Sequence, residues 1–187
     1  MATSKGQRAG IWVIAIVMTV GTLGAFFLPI LTNNDAAKQA ADQQKALADF
    51  QKQQEEAARQ RAASSKPLEG YSAEAFDAAG VSELTSEVLS AGDGAEVTAT
   101  STIEANYFGW TADGKIFDST NQNGTVSPAT FSLEQVIQGW TKGLTGKKVG
   151  DVVKLMIPTD MAYGPNAAAS GQPAGPLAFI VEIKSIK

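Results

Sequence analysis

The apolar positions of this chain fall into three unlike patterns, each predicting a different element. Residues 11–31, IWVIAIVMTVGTLGAFFLPIL, contain no charged side chain, and a run of that length crosses a bilayer once as a helix. Residues 35–61, DAAKQAADQQKALADFQKQQEEAARQR, are polar and free of Gly and Pro, the pattern of a solvated helix. Their charges recur every seven residues: Asp35, Asp42, Asp49 and Glu56 are each followed three places later by Lys38, Lys45, Lys52 and Arg59, which predicts i,i+3 pairs along one face. A coiled coil would also need an apolar seam. The best line available, Ala36, Ala40, Gln43, Leu47, Phe50, Gln54, Ala57 and Arg61, is small and polar, so the expectation is a helical stalk about 40 Å long, with a weak dimer through it as the alternative. AASSKPLEG, with Ser, Pro and Gly, then ends the helix as a linker.

From about residue 71 the pattern changes to short alternating runs separated by turn residues. STIEANYFGW places Ile103, Ala105 and Tyr107 on one face, GKIFDS follows the turn ADG, VVKLMI is closed by Pro158, and PLAFIVEIKSI places Leu177, Phe179, Val181 and Ile183 on one face. This predicts an antiparallel sheet with one buried side. A helix interrupts it: Ser132 and Gln135 have capping-box spacing, and Val136, Ile137 and Trp140 follow on one side. Gly139 costs such a helix roughly 1 kcal/mol relative to Ala, which points to a close approach by a neighbouring element. Read from the residues alone, Trp140 is a core residue of an α+β domain.

Composition narrows the chemistry. The chain has 187 residues and neither His nor Cys, which excludes a Ser-His-Asp triad, a thiolate nucleophile, a His or Cys zinc site and a disulfide. No metal or cofactor is expected. The net charge is -4, with no basic cluster in the C-terminal half, so no nucleic-acid surface is indicated. Carboxylates, hydroxyls, backbone groups and apolar surface remain.

At the N-terminus, a cleaved signal peptide would show an apolar region of about 7–15 residues followed by a small-x-small site, and neither is evident. Lys5 and Arg8 precede the span and Asn33, Asn34 and Asp35 follow it, so the positive-inside rule predicts a cytoplasmic tail, 1–10, a transmembrane anchor, 11–31, and an extracytoplasmic remainder.

Taken in order, YFGWTADGKIFDST, VIQGW, GLTGKKVGD, AYG and PLAFIVEI closely resemble the FKBP-type peptidyl-prolyl cis-trans isomerases, over residues 82–187. The resemblance implies the FKBP fold, a strongly bent antiparallel sheet wrapped around a short helix, with an apolar pocket between them. It implies that Trp140 forms the pocket floor under the substrate proline ring, and that Tyr107, Phe117, Val136, Ile137 and Phe179 are wall positions. Asp118 matches the carboxylate at the pocket edge, held by the hydroxyl of Tyr107. Tyr163 matches a phenol that donates to a substrate carbonyl, and the backbone N–H of Ile137 a second donor. Two places depart from the family pattern. A wall aromatic is replaced by Ala129, leaving Phe131 to the core, and the loop GPNAAASGQPAG has Gly171 and Gln172 where paired isoleucines are common.

The expected architecture is therefore an α+β FKBP-like domain, 67–187, preceded by a transmembrane helix and a stalk with linker, 32–66. The expected function is prolyl isomerisation during folding of exported or membrane-proximal proteins, with proline-containing polypeptides as clients. A non-catalytic binding module or holdase chaperone is the alternative. Since no matched pocket residue lies in the stalk, the domain after it is expected to hold the whole site.

Overall fold

A computed structural model describes residues 33–187. Among these no helix is long and apolar enough to cross a membrane, and the span expected at residues 11–31 lies outside them. The first element, α1, is Asn33–Ser64, a continuous helix about 48 Å long at 1.5 Å per residue. The i,i+3 charge pairs expected on it do not form among the residues whose side chains are described. Arg59 instead reaches Glu55 at i,i+4 (3.9 Å), and both are exposed, so the pair adds little. Asp42, Lys45, Asp49, Lys52, Glu56 and Arg59 are all exposed, so water competes for their charges.

The sheet strands are β1 (Ser65–Lys66), β2 (Thr85–Ser90), β3 (Thr102–Thr111), β4 (Ile116–Ser119), β5 (Asn121–Gln122), β6 (Thr125–Val126), β7 (Ala129–Ser132), β8 (Val152–Ile157) and β9 (Leu177–Ile186). The main sheet has the order β2-β8-β9-β3-β4, antiparallel throughout, and β7 pairs with the first half of β3. The central pair, β3 and β9, runs antiparallel from Ile103 opposite Ile186 to Thr111 opposite Leu177. A three-stranded ribbon, β1-β5-β6, stands beside it.

Period-2 alternation sorts the side chains between two faces. Ile103, Ala105, Tyr107, Leu177, Phe179, Val181 and Ile183 join Val153, Leu155 and Ile157 of β8 in the main core. The opposite face is also covered, contrary to the expectation of one buried side: Phe108, Trp110, Ala178 and Ile180 pack with Leu68, and Tyr71, Ala73 and Phe76 lie against them. Trp110 donates its indole N–H to the Glu74 carbonyl (2.9 Å). The end of the stretch read as a linker, at Leu68, and the residues that follow it thus fold onto the sheet. Their hydrophobes are too widely spaced to announce a strand or helix, and the apolar back of β3 and β9 gives them a place to be buried.

The helix that packs on the main-core face, α2, is Gln138–Leu144, seven residues long. It starts later than the spacing of Ser132 and Gln135 suggests. Ser132 ends β7, and Gln135 N–H donates to the Ser132 carbonyl in a turn (3.0 Å) rather than to a capping side chain. Ile137 is the N-cap residue, with an extended backbone whose carbonyl accepts from Trp140 (2.9 Å) and Thr141 (3.3 Å). Pairing of β7 with β3 holds Ser132 in the sheet, so the helix cannot begin there. Gly139 explains itself at this contact: a Cβ would lie 2.3 Å from Ile157 Cγ2, so only glycine lets the helix sit this close to β8.

Candidate active site

All eight residues singled out in the sequence line one pocket: Tyr107, Phe117, Asp118, Val136, Ile137, Trp140, Tyr163 and Phe179. The space within it is about 310 Å³, part of it open to solvent. Strands β3, β4 and β9, helix α2 and two turns deliver these side chains, and in two cases the local backbone departs from regularity to do so.

Trp140 sits in the first turn of α2 and is 3% exposed. Tyr107, Phe131 and Phe179 surround it with ring centroids at 5.3, 5.1 and 5.5 Å and planes at 86°, 68° and 87°. Edge contacts of this kind are favourable, and none of these rings lies parallel on the indole, which leaves its surface to line the pocket. Phe131 is the core residue expected, 6% exposed. Ala129 lies in β7 opposite Ala105.

Phe117 and Asp118 are consecutive, so a regular strand would send them to opposite faces. The register shifts between Gly109, opposite Asp118, and Trp110, opposite Ile116, leaving Phe117 as the extra residue of a bulge. Both side chains therefore reach the same pocket, Phe117 packing edge-on against Phe179 at 5.6 Å. Val136 and Ile137 precede α2 on the connecting turn. The Ile137 N–H has no hydrogen-bond partner among the described residues, because its position before the first helical turn leaves it outside the i to i−4 ladder.

Asp118, 9% exposed, is the polar centre of the site. Its carboxylate accepts from the Tyr107 hydroxyl, from the Ser119 N–H at 2.9 Å, and from Arg61 Nε of α1. Burial, then the Asp118 charge, push the Tyr107 phenol well above its ordinary value, only partly opposed by Arg61, so Tyr107 is a fixed donor. Arg61 was not expected here. It occupies the last position of the polar seam on α1, and its pattern marks it only as one more solvated charge.

Tyr163 follows a 3-10 turn, Thr159–Met161, and precedes Gly164, whose φ of 78° is open chiefly to glycine. Gly164 N–H closes this turn onto the Thr159 carbonyl (2.9 Å). The Tyr163 hydroxyl has no partner among the described residues. Burial, and after it Asp118, raise its pKa to about 12, so it remains a donor across the physiological range. This shift has a stability consequence. The folded pKa is raised, so its contribution is complete below the unfolded value near 10 and is lost as pH rises from about 10 to 12. Wild type is expected to lose stability over that window relative to Tyr163→Phe. Parallel denaturant melts of the two at pH 9 and 11.5 check it, and an unchanged difference would refute the burial of this phenol.

An apolar pocket floored by an indole and edged by one carboxylate, one phenol and one N–H without a partner among the described residues, between an antiparallel sheet and a short helix, defines a class of protein. Residues 94–184 match the family model of the FKBP-type peptidyl-prolyl cis-trans isomerases. A 1.6 Å crystal structure of a peptidyl-prolyl cis-trans isomerase from Pseudomonas syringae superposes with a TM-score of 0.50 at 32% identity, covering 71% of this chain and 92% of that one. The chain belongs to the FKBP-type peptidyl-prolyl cis-trans isomerase family. It is also similar to the outer membrane protein MIP of Legionella longbeachae, 38% identical over 109 residues, 57% of this chain and 45% of that protein. A second relative is the FKBP-type isomerase FkpA of Escherichia coli, 38% identical over 104 residues, 56% of this chain and 38% of that one. The chain thus matches less than half the length of these two relatives.

Proposed function

We propose that this protein is a peptidyl-prolyl cis-trans isomerase that accelerates X-Pro bond rotation in polypeptide clients, with Trp140 as the platform for the proline ring. The observation that carries this reading is the pairing of an apolar pocket with two donors at its edge that have no partner among the described residues, the Tyr163 hydroxyl and the Ile137 N–H. A pocket that only gripped apolar segments would not require them.

The chemistry needs no proton transfer or nucleophile. Amide resonance sets a barrier of about 18–20 kcal/mol, and uncatalysed X-Pro exchange takes roughly 10–100 s. The twisted transition state has lost resonance, so its carbonyl is less polarised than that of the planar amide. A pocket walled by Phe117, Phe179, Val136 and Trp140 strips water from the amide and disfavours the planar ground state relative to the twisted one. Donors at Tyr163 and Ile137 then hold the flanking carbonyls in the twisted geometry. Lowering the barrier by about 7 kcal/mol corresponds to roughly a 10⁵-fold acceleration.

A protease-free isomerisation assay of the full chain in detergent, on several X-Pro peptides, tests this. Tyr163→Phe is expected to lower kcat/KM by about threefold to tenfold, the value of one hydrogen bond, with little change in Tm at neutral pH. A wild-type chain that binds unfolded polypeptide without isomerising it would make this a binding module or holdase instead.

We infer further that the domain works outside the cytoplasmic membrane, held by a single span at residues 11–31. Supporting this are the uncharged run and the placement of Lys5 and Arg8 before it. Protease added to cells with any outer barrier opened is expected to remove the domain and leave the span. Recovery of full-length soluble cytoplasmic protein would sink this topology. The exposed Leu47 (61%) and Phe50 (50%) on α1 support weak self-association through the stalk.

A further inference from the structure

The geometry points to Arg61 as a positioning residue of the isomerase site, so that α1, which lies outside the matched family domain, supplies the cation that partners the pocket's carboxylate. This rests on the isomerase reading above. Between Asp118 and Thr141 the sequence contains no Lys or Arg, and the nearby Lys115 is spent on Asp113 at 2.6 Å, both exposed. The buried Asp118 carboxylate therefore has no cation from its own loop, and an unpaired charge in that setting is costly. The cation comes from the last turns of α1, as the ion pair of Arg61 Nε with Asp118 Oδ1.

That turn is fastened in place. Ser64 and Ser65 hydroxyls donate back to the Arg61 carbonyl at 3.0 and 2.8 Å, satisfying a helix-end group that has no partner within the helix. The Ser64 carbonyl accepts from Asn123 N–H (2.9 Å), the Ser64 hydroxyl meets Gln122 Oε1, and Ser65 pairs with Gln122 in the β1–β5 ladder. Two turns earlier, Glu55 approaches the loop that follows Tyr163: a Cβ on Gly171 would lie 3.9 Å from Glu55 Cγ. The helix thus touches both the Asp118 edge and the Tyr163 loop. Arg61 itself is buried enough for desolvation to disfavour its charge, yet Asp118, and after it Tyr107, hold its pKa above the ordinary value.

With Arg61 in place, Asp118 accepts from three donors and is fixed in orientation; through it Tyr107, which packs edge-on against Trp140, is fixed as well. Arg61 is expected to act on catalysis through Asp118 and not by touching substrate. The test is a double-mutant cycle on the full chain, with kcat/KM and Tm measured for Arg61→Met, Asp118→Asn and the double variant. Arg61→Met is expected to lower kcat/KM about tenfold, the scale of one hydrogen bond to a charged group. The double variant is expected to be no worse than Asp118→Asn alone. Arg59→Met, on the exposed face of the same helix, is expected to match wild type. If the methionine variant does not fold, Arg61→Gln carries the same cycle. Wild-type kcat/KM for the Arg61 variant, or losses that multiply in the double variant, would overturn the inference while leaving the isomerase reading standing. A wild-type chain without isomerase activity would overturn both.

Discussion

Trp140→Leu is expected to destabilise the protein by about 2–4 kcal/mol and to lower kcat/KM at least tenfold. The stability loss follows from the packing: three aromatic rings contact the indole at 5.1–5.5 Å, and a leucine on α2 cannot fill the volume that the 3%-exposed tryptophan occupies. Large-to-small changes at such sites lose both transfer energy and packing around the void. A Tm fall on the order of 10 °C would accompany a loss of this size. The kinetic loss has a separate origin. A proline ring that forfeits roughly 1.5 kcal/mol of apolar contact costs about tenfold in kcat/KM. Thermal melts and isomerisation rates on the same preparation separate the two effects. Lost stability with wild-type kcat/KM at a temperature where the variant is folded would leave Trp140 as core alone and remove the platform from the mechanism.

Asp118→Ala is expected to be nearly as damaging, by a different route. The carboxylate serves the Tyr107 hydroxyl, the Ser119 N–H and Arg61 Nε together, and its removal leaves a buried phenol and an arginine side chain only a quarter exposed without their acceptor. Breaking a buried charge pair from one side costs about 3–5 kcal/mol. Because a quarter of the Arg61 side chain remains in contact with water, a loss of about 2–4 kcal/mol is expected. kcat/KM should fall at least tenfold, since Tyr107 is then free to turn within the wall of the pocket. Asp118→Asn, which keeps an acceptor for Tyr107, is expected to recover part of the stability. A wild-type Tm for the alanine variant would mean that desolvation cancels the network and that Asp118 orders nothing.

The sequence by itself determined the elements whose information is local. Alternation along Ile103, Ala105 and Tyr107 and along Leu177, Phe179, Val181 and Ile183 marks strands with an inner face, because a period of two survives wherever one side of a sheet is dry. Gly139 announced a close approach, since glycine inside a helix is costly unless something needs the space. The ordered motifs located all eight pocket residues, from Tyr107 to Phe179. What only the tertiary structure decided were contacts whose partners lie far apart in the chain. The bulge at Phe117 turns two consecutive residues to one pocket and depends on how β4 pairs with β3. The late start of α2 depends on β7 holding Ser132 in the sheet. Leu68 fell in the stretch read as a linker, and Tyr71 and Phe76 in no predicted element, because burial against the back of β3 and β9 leaves no periodicity in so short a stretch. Arg61, 57 residues before Asp118, looked like one more charge on a solvated helix. An ion pair is defined by where two chain segments dock, and no pattern within either segment carries that information.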